Sequence, residues 1–131
     1  MAKVTGIGGV FVKSTDREAM RTFFTEKLGL PTEPWGAVFR WREREAPEVK
    51  GATVFGLFDA SSRYFGPSGL PFMLNFRVDD LEALLTSLRA DGVPVVREIT
   101  EEANGKFAHV LGPEGLVLEL WQPAVPDPYD P

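Results

Sequence analysis

Thr15-Asp16-Arg17-Glu18 and Asp79-Asp80-Leu81-Glu82 decide the fold, because each tetrad opens a helix at the same place in two similar halves of the chain. A hydroxyl or carboxylate followed three residues later by a carboxylate has the form of a capping box, which satisfies the free amides of a helix start. Behind the first tetrad, Ala19, Met20, Phe23, Phe24 and Leu28 fall at helical spacing; behind the second, Leu81, Leu84, Leu85 and Leu88 do so. Each run ends at a glycine suited to the left-handed position after a helix, Gly29 and Gly92. An apolar residue and a proline follow both times, Leu30-Pro31 and Val93-Pro94.

The flanks repeat as well. Strand patterns run from Ile7 to Lys13 before the first helix and from Phe72 to Val78 before the second. After the first come Ala37 to Arg42 and Thr53 to Phe58, with a weak candidate at Thr32 to Trp35; after the second come Val95 to Ile99, Lys106 to Leu111 and Leu116 to Trp121. The expected architecture is α+β: one domain over residues 1–131, built from two βαβββ modules. Module one covers about 4–60 and module two about 71–122, joined by a linker at about 61–70, with a tail at 123–131 that lacks regular structure. Glu43 to Lys50 is charged and reads as a solvated hairpin loop. Asp59 to Leu70 reads either as a linker anchored by Tyr64 and Phe65 or as a flap or dimer contact beside a pocket.

Composition narrows the function. The 131 residues are 44% hydrophobic and 25% charged, ordinary for one globular domain. The absence of cysteine excludes disulfides, thiolate metal sites and cysteine nucleophiles, and fits a reducing cytoplasm. The start lacks the pattern of a signal peptide and no stretch is apolar enough to span a bilayer, so a cytoplasmic protein with no membrane partner is expected. A net charge of -5, with Arg40, Arg42 and Arg44 interleaved with Glu43 and Glu45, argues against nucleic acid. There is no G-x-S-x-G elbow, no G-x-x-x-x-G-K and no H-E-x-x-H; Gly6-Ile7-Gly8-Gly9 leads into a strand rather than a helix, against a dinucleotide loop.

Four segments carry a family resemblance: Phe11-Val12-Lys13-Ser14-Thr15-Asp16, Phe23-Phe24 with Leu28-Gly29, Phe76-Arg77-Val78-Asp79-Asp80-Leu81, and Gly112 through Trp121. Over about residues 4–122 the chain resembles the vicinal oxygen chelate superfamily, which includes glyoxalase I, bleomycin-resistance proteins, fosfomycin-resistance enzymes and extradiol dioxygenases. The resemblance implies paired half-barrels around a cleft, with one divalent metal held by His, Gln or Glu from the first and last strands of each half. Matched through the repeat, the ligand positions are Gly9, Gly56, Met73 and Glu119. Of these only Glu119 supplies a donor suited to such a cation, so the family metal site is largely lost and no cofactor is expected. A divalent metal held through other residues is the alternative.

Strand alternation places Phe11 in phase with Gly9, Val54 and Phe58 with Gly56, Asn75 with Met73, and Val117 and Trp121 with Glu119. These side chains are expected to line a mixed, partly apolar cleft, with room where the two glycines stand. Glu119 is read as a general base or ligand anchor, or as a relic carboxylate held by an arginine or water. His109 and Arg40, on equivalent strands, are read either as ordinary strand residues or as ligand contacts. The leading expectation is a protein that binds a small, partly apolar ligand without a metal, as bleomycin-resistance proteins do by sequestration. A homodimer is expected with it, because half-barrels of this type complete their pockets across a two-fold axis. Its rivals are a glyoxalase-like lyase, isomerase or dioxygenase using Glu119 with a non-standard metal site, and a non-catalytic structural or regulatory module whose cleft is filled by its own aromatics.

Overall fold

A computed structural model describes residues 1–131. The first half runs β1 (Val4–Ser14), α1 (Arg17–Thr22), β2 (Gly36–Arg42) and β3 (Lys50–Asp59); the second runs β4 (Phe72–Val78), α2 (Leu81–Ala90), β5 (Val95–Glu102), β6 (Gly105–Leu111) and β7 (Val117–Pro123). All seven strands join one mixed, open sheet in the order β2-β3-β1-β4-β7-β6-β5. β1 and β4 pair antiparallel at its centre. Each first strand also pairs parallel with the last strand of its own half, β1 with β3 and β4 with β7, so the repeat is visible in the hydrogen bonding.

The halves differ in one strand. β5 borders β6, but Thr32 to Trp35 contributes only a bridge between Glu33 and Gly36, so the first half is βαββ. Pro31 and Pro34 lack amide donors and interrupt any ladder there, whereas residues 95–102 contain no proline. β2 is therefore left as an outer strand.

Both helices start one residue later than the capping-box reading places them. Asp16 accepts from the Ala19 amide at 3.0 Å and Asp80 from the Ala83 amide at 3.1 Å, while Asp79 instead receives the Lys3 amide. Gly29 and Gly92 take the left-handed conformation that ends each helix, with φ of 69° and 81°. α2 buries Leu81 and Leu85 against Val78, Ala108, Val110 and Leu120 of the sheet, with Phe76 and Leu118 alongside. α1 is weaker. It passes into a π-helical turn over Phe23–Lys27, and the extra residue in that turn breaks the apolar face. Phe24 still meets Phe55 edge-on at 4.8 Å, but Phe23 and Leu28, expected on the buried face, are 50% and 62% exposed.

The tail has no regular secondary structure, yet it is docked. Asp127 forms a buried ion pair with Arg77, Asp130 pairs with Arg42 at 2.9 Å, and the Tyr129 carbonyl accepts from Arg40 at 2.7 Å.

Candidate functional site

The concave face of the sheet holds a cleft of about 500 Å³, walled by strands of both halves, the segment between them and the tail. Its floor is a polar cluster around Glu119, from the centre of β7. Register places Glu119 beside Asn75 of β4 on one side and His109 of β6 on the other. Asn75 Nδ2 donates to Glu119 Oε1 at 2.6 Å, and His109 Nε2 lies 2.8 Å from Oε2. The Tyr64 hydroxyl, from the segment joining the halves, donates to the same Oε2. Asn75, His109 and Glu119 are each 1% exposed. Burying a carboxylate is costly unless its lone pairs are satisfied, and here Asn75, Tyr64 and His109 engage both oxygens, where an arginine or water was the expected partner.

Tyr64 is held from several sides. Its ring stacks on Phe58 at 5.7 Å, meets His109 edge-on at 5.0 Å and carries the Arg97 guanidinium 4.8 Å above it. Burial, then the Glu119 charge and the hydrogen bond to it, push the phenol pKa far above its usual range, so the hydroxyl remains a donor. Phe65 beside it is fully buried in a cluster with Phe11, Met73 and Val117. The segment thus anchors itself through Phe65 and borders the cleft through Tyr64.

The predicted positions divide into two groups. Phe11, Val54, Gly56, Phe58, Asn75, Glu119 and Trp121 border the cleft. Met73 and Val117 do not: they are sealed beneath Phe11 and Phe65. His109 lies behind Glu119 rather than in the opening. Arg40 is on the exposed side of β2, holding the tail backbone. Gly9 gives way to Gly8, because a register shift between Ile7 and Gly9 on β1 turns Gly8 to the cleft. A Cβ on Gly8 would stand 2.1 Å from Asn75 Oδ1, a buried atom with no hydrogen-bond partner. Nor do the two glycines leave room for a ligand. The Phe11 ring fills that space, coming within 2.7 Å of a Cβ built on Gly9 and 2.9 Å of one built on Gly56.

The rest of the wall was not anticipated as such. Arg97, Thr100 and Glu102 come from β5 and Asn104 from the turn after it. Phe107 stacks parallel on Trp121 at 5.7 Å, and Tyr129 reaches from the tail to touch both Trp35 and Trp121. The strand extension beyond Ile99 and the docking of Tyr129 depend on tertiary pairing. Only the run of aromatic residues hinted at them.

A divalent cation of the kind the resemblance implies does not fit these residues. Of the four matched positions only Glu119 bears a donor, and both its oxygens are taken up by Asn75, Tyr64 and His109. No group of three or more His, Asp or Glu side chains converges anywhere in the chain, where a catalytic zinc needs about three protein ligands.

The model of the glyoxalase/bleomycin resistance protein/dioxygenase superfamily matches residues 6–120. Among solved structures, a variant of methylmalonyl-CoA epimerase from Streptomyces coelicolor, in complex with 2-nitronate-propionyl-CoA, superposes with a TM-score of 0.70 at 16% identity, over 94% of this chain and 100% of that one. Methylmalonyl-CoA epimerase from Mycobacterium tuberculosis gives 0.58 at 20% identity, over 92% and 89%. A hypothetical protein from Bacillus halodurans C-125 gives 0.61 at 15% identity, over 94% and 95%. These likenesses show the shared fold. No curated protein matches the chain.

Proposed function

The chain belongs to the glyoxalase/bleomycin resistance protein/dioxygenase superfamily, and from that premise we propose that it binds a small, partly apolar ligand in the cleft without the help of a metal. The observation that carries this reading is the state of Glu119. Its oxygens are engaged by Asn75, Tyr64 and His109, while the matched positions Gly56 and Met73 bring no ligand to it. The cleft is bordered by a wall of aromatic rings, chiefly Phe58, Tyr64, Phe107 and Tyr129 with the buried Trp121 behind them, and such walls hold planar apolar ligands by area and stacking.

The neighbouring epimerases make an isomerase the rival reading. Against it, a general base must come within hydrogen-bond reach of the proton it takes. Glu119 is 1% exposed beneath the Tyr64 hydroxyl, and that phenol holds its own proton too tightly to act as a base.

We further propose a cytoplasmic homodimer. No helix is long and apolar enough to cross a membrane. The outer strand β2 lacks the neighbour that β5 gives β6, and Phe23, Leu28 and Phe39 are exposed on that side. Sedimentation at micromolar concentration tests the dimer: a Phe39→Glu variant sediments as a monomer if β2 forms the contact, and a monomeric parent protein refutes it.

Binding is tested by adding indole and 2-naphthol separately to isotope-labelled protein and following the amide and indole N–H signals. Shifts gathered on Phe58, Tyr64, Phe107 and Trp121 support the cleft. Shifts confined to the outer face at Phe24, Leu30 and Phe39, or no saturable shift, refute it.

A further inference from the structure

We infer that the ligand is a planar aromatic ring carrying one carboxylate, with the ring among the cleft aromatics and the carboxylate on Arg97; this rests on the cleft being the binding site. Arg97 faces the cleft from β5, half-buried, with its guanidinium 4.8 Å from the Tyr64 ring centroid. Lying over that ring holds the guanidinium at the cleft without using its N–H groups. No carboxylate of the protein lies within ion-pair distance of it, and it makes no hydrogen bond to another residue. Arg77, by contrast, is matched to Asp127, Arg42 to Asp130 and Arg89 to Glu98. A guanidinium at the edge of an apolar cleft presents its donors as a fork, the geometry that grips a carboxylate through two parallel hydrogen bonds.

The polar groups at the floor do not compete for that role. The Tyr64 hydroxyl and Asn75 Nδ2 are spent on Glu119, and the Asn75 Oδ1 is sealed against Gly8. A second negative charge placed at the floor would meet the buried Glu119 carboxylate, so an acidic ligand must enter ring first. Glu102, farther along β5, is exposed and remains solvated. Near Arg97 the ring finds Tyr64 and Phe58, and deeper in the wall the parallel pair Phe107 and Trp121.

The test compares 2-naphthoate with 2-naphthamide by calorimetry at low salt. The two share one ring and differ in charge. The acid is expected to bind the parent protein about tenfold tighter or more, the scale of one charge-assisted pair. In Arg97→Gln the ratio of the two affinities falls to about one, and Arg97→Lys, which keeps the charge but not the fork, retains part of the preference. Equal affinities in the parent protein, or a preference that survives in Arg97→Gln, overturn the inference while leaving the cleft as a binding site. Failure of both compounds to bind, together with no shift from indole or 2-naphthol, overturns the binding reading and the inference with it.

Discussion

Tyr64, from the segment between the halves, donates its phenol to Glu119 at the centre of β7, so one hydrogen bond ties the connection to the floor of the cleft. Removing the donor in Tyr64→Phe leaves Glu119 with Asn75 and His109 only. A hydrogen bond to a charged group contributes about 1.5–3 kcal/mol, and partial exposure of Tyr64 puts the expected loss near the lower end. The loss is read by urea unfolding.

The same contact makes stability pH-dependent. The fold favours the neutral phenol, so folded Tyr64 ionises above its ordinary value of 10.0. Its contribution is complete below about pH 10 and is lost as pH rises beyond that point. The stability gap between the parent protein and Tyr64→Phe narrows above pH 10. The phenolate absorbance of Tyr64, one of only two tyrosines, develops together with unfolding.

Glu119→Ala strips the acceptor from three donors at once. Asn75 and His109 are buried and lose their shared partner, so the cost is about 3 kcal/mol. Glu119→Gln, which keeps one acceptor oxygen, costs less. Unfolding midpoints equal to that of the parent protein in both variants would show that the hub contributes nothing.

Gly8→Ala places a methyl 2.1 Å from Asn75 Oδ1 and 3.0 Å from both Arg77 Cγ and Trp121 Cε3. Such overpacking costs about 1–3 kcal/mol. Gly69→Ala, whose added methyl meets nothing within 4 Å, serves as the control and changes stability by less than about 0.5 kcal/mol.

Asp127→Asn leaves Arg77 buried between Trp41 and Trp121 with its charge uncompensated. Breaking a buried pair from one side costs about 3–5 kcal/mol, and here the first part to yield is the tail itself. Hydrogen exchange reads this directly. Protection of the Ala124 amide, which bonds to Asn104, falls while that of the β4–β7 ladder remains.

Local patterns announced the fold because they act within a turn or a strand. Asp16 and Asp80 cap their own helices, Gly29 and Gly92 end them, and the alternation in residues 72–78 and 117–121 separates the face under α2 from the cleft. From the repeat alone Glu119, Asn75, Phe58 and Trp121 could be gathered on one surface. What escaped was decided at a distance. A bulge on β1 exchanged Gly8 for Gly9, prolines cost the first half its fourth strand, and Tyr64, Arg97 and Tyr129 reached the cleft from a linker, a lengthened strand and a tail with no periodicity of their own.

Affinity for 2-naphthol, measured by calorimetry before and after dialysis against a chelator and again after return of zinc, nickel or manganese, tests the metal-free cleft most directly. One site with the same Kd in all three states is the expected result. Binding that vanishes with the metal and returns with it, and that is lost in Glu119→Ala, would contradict the account.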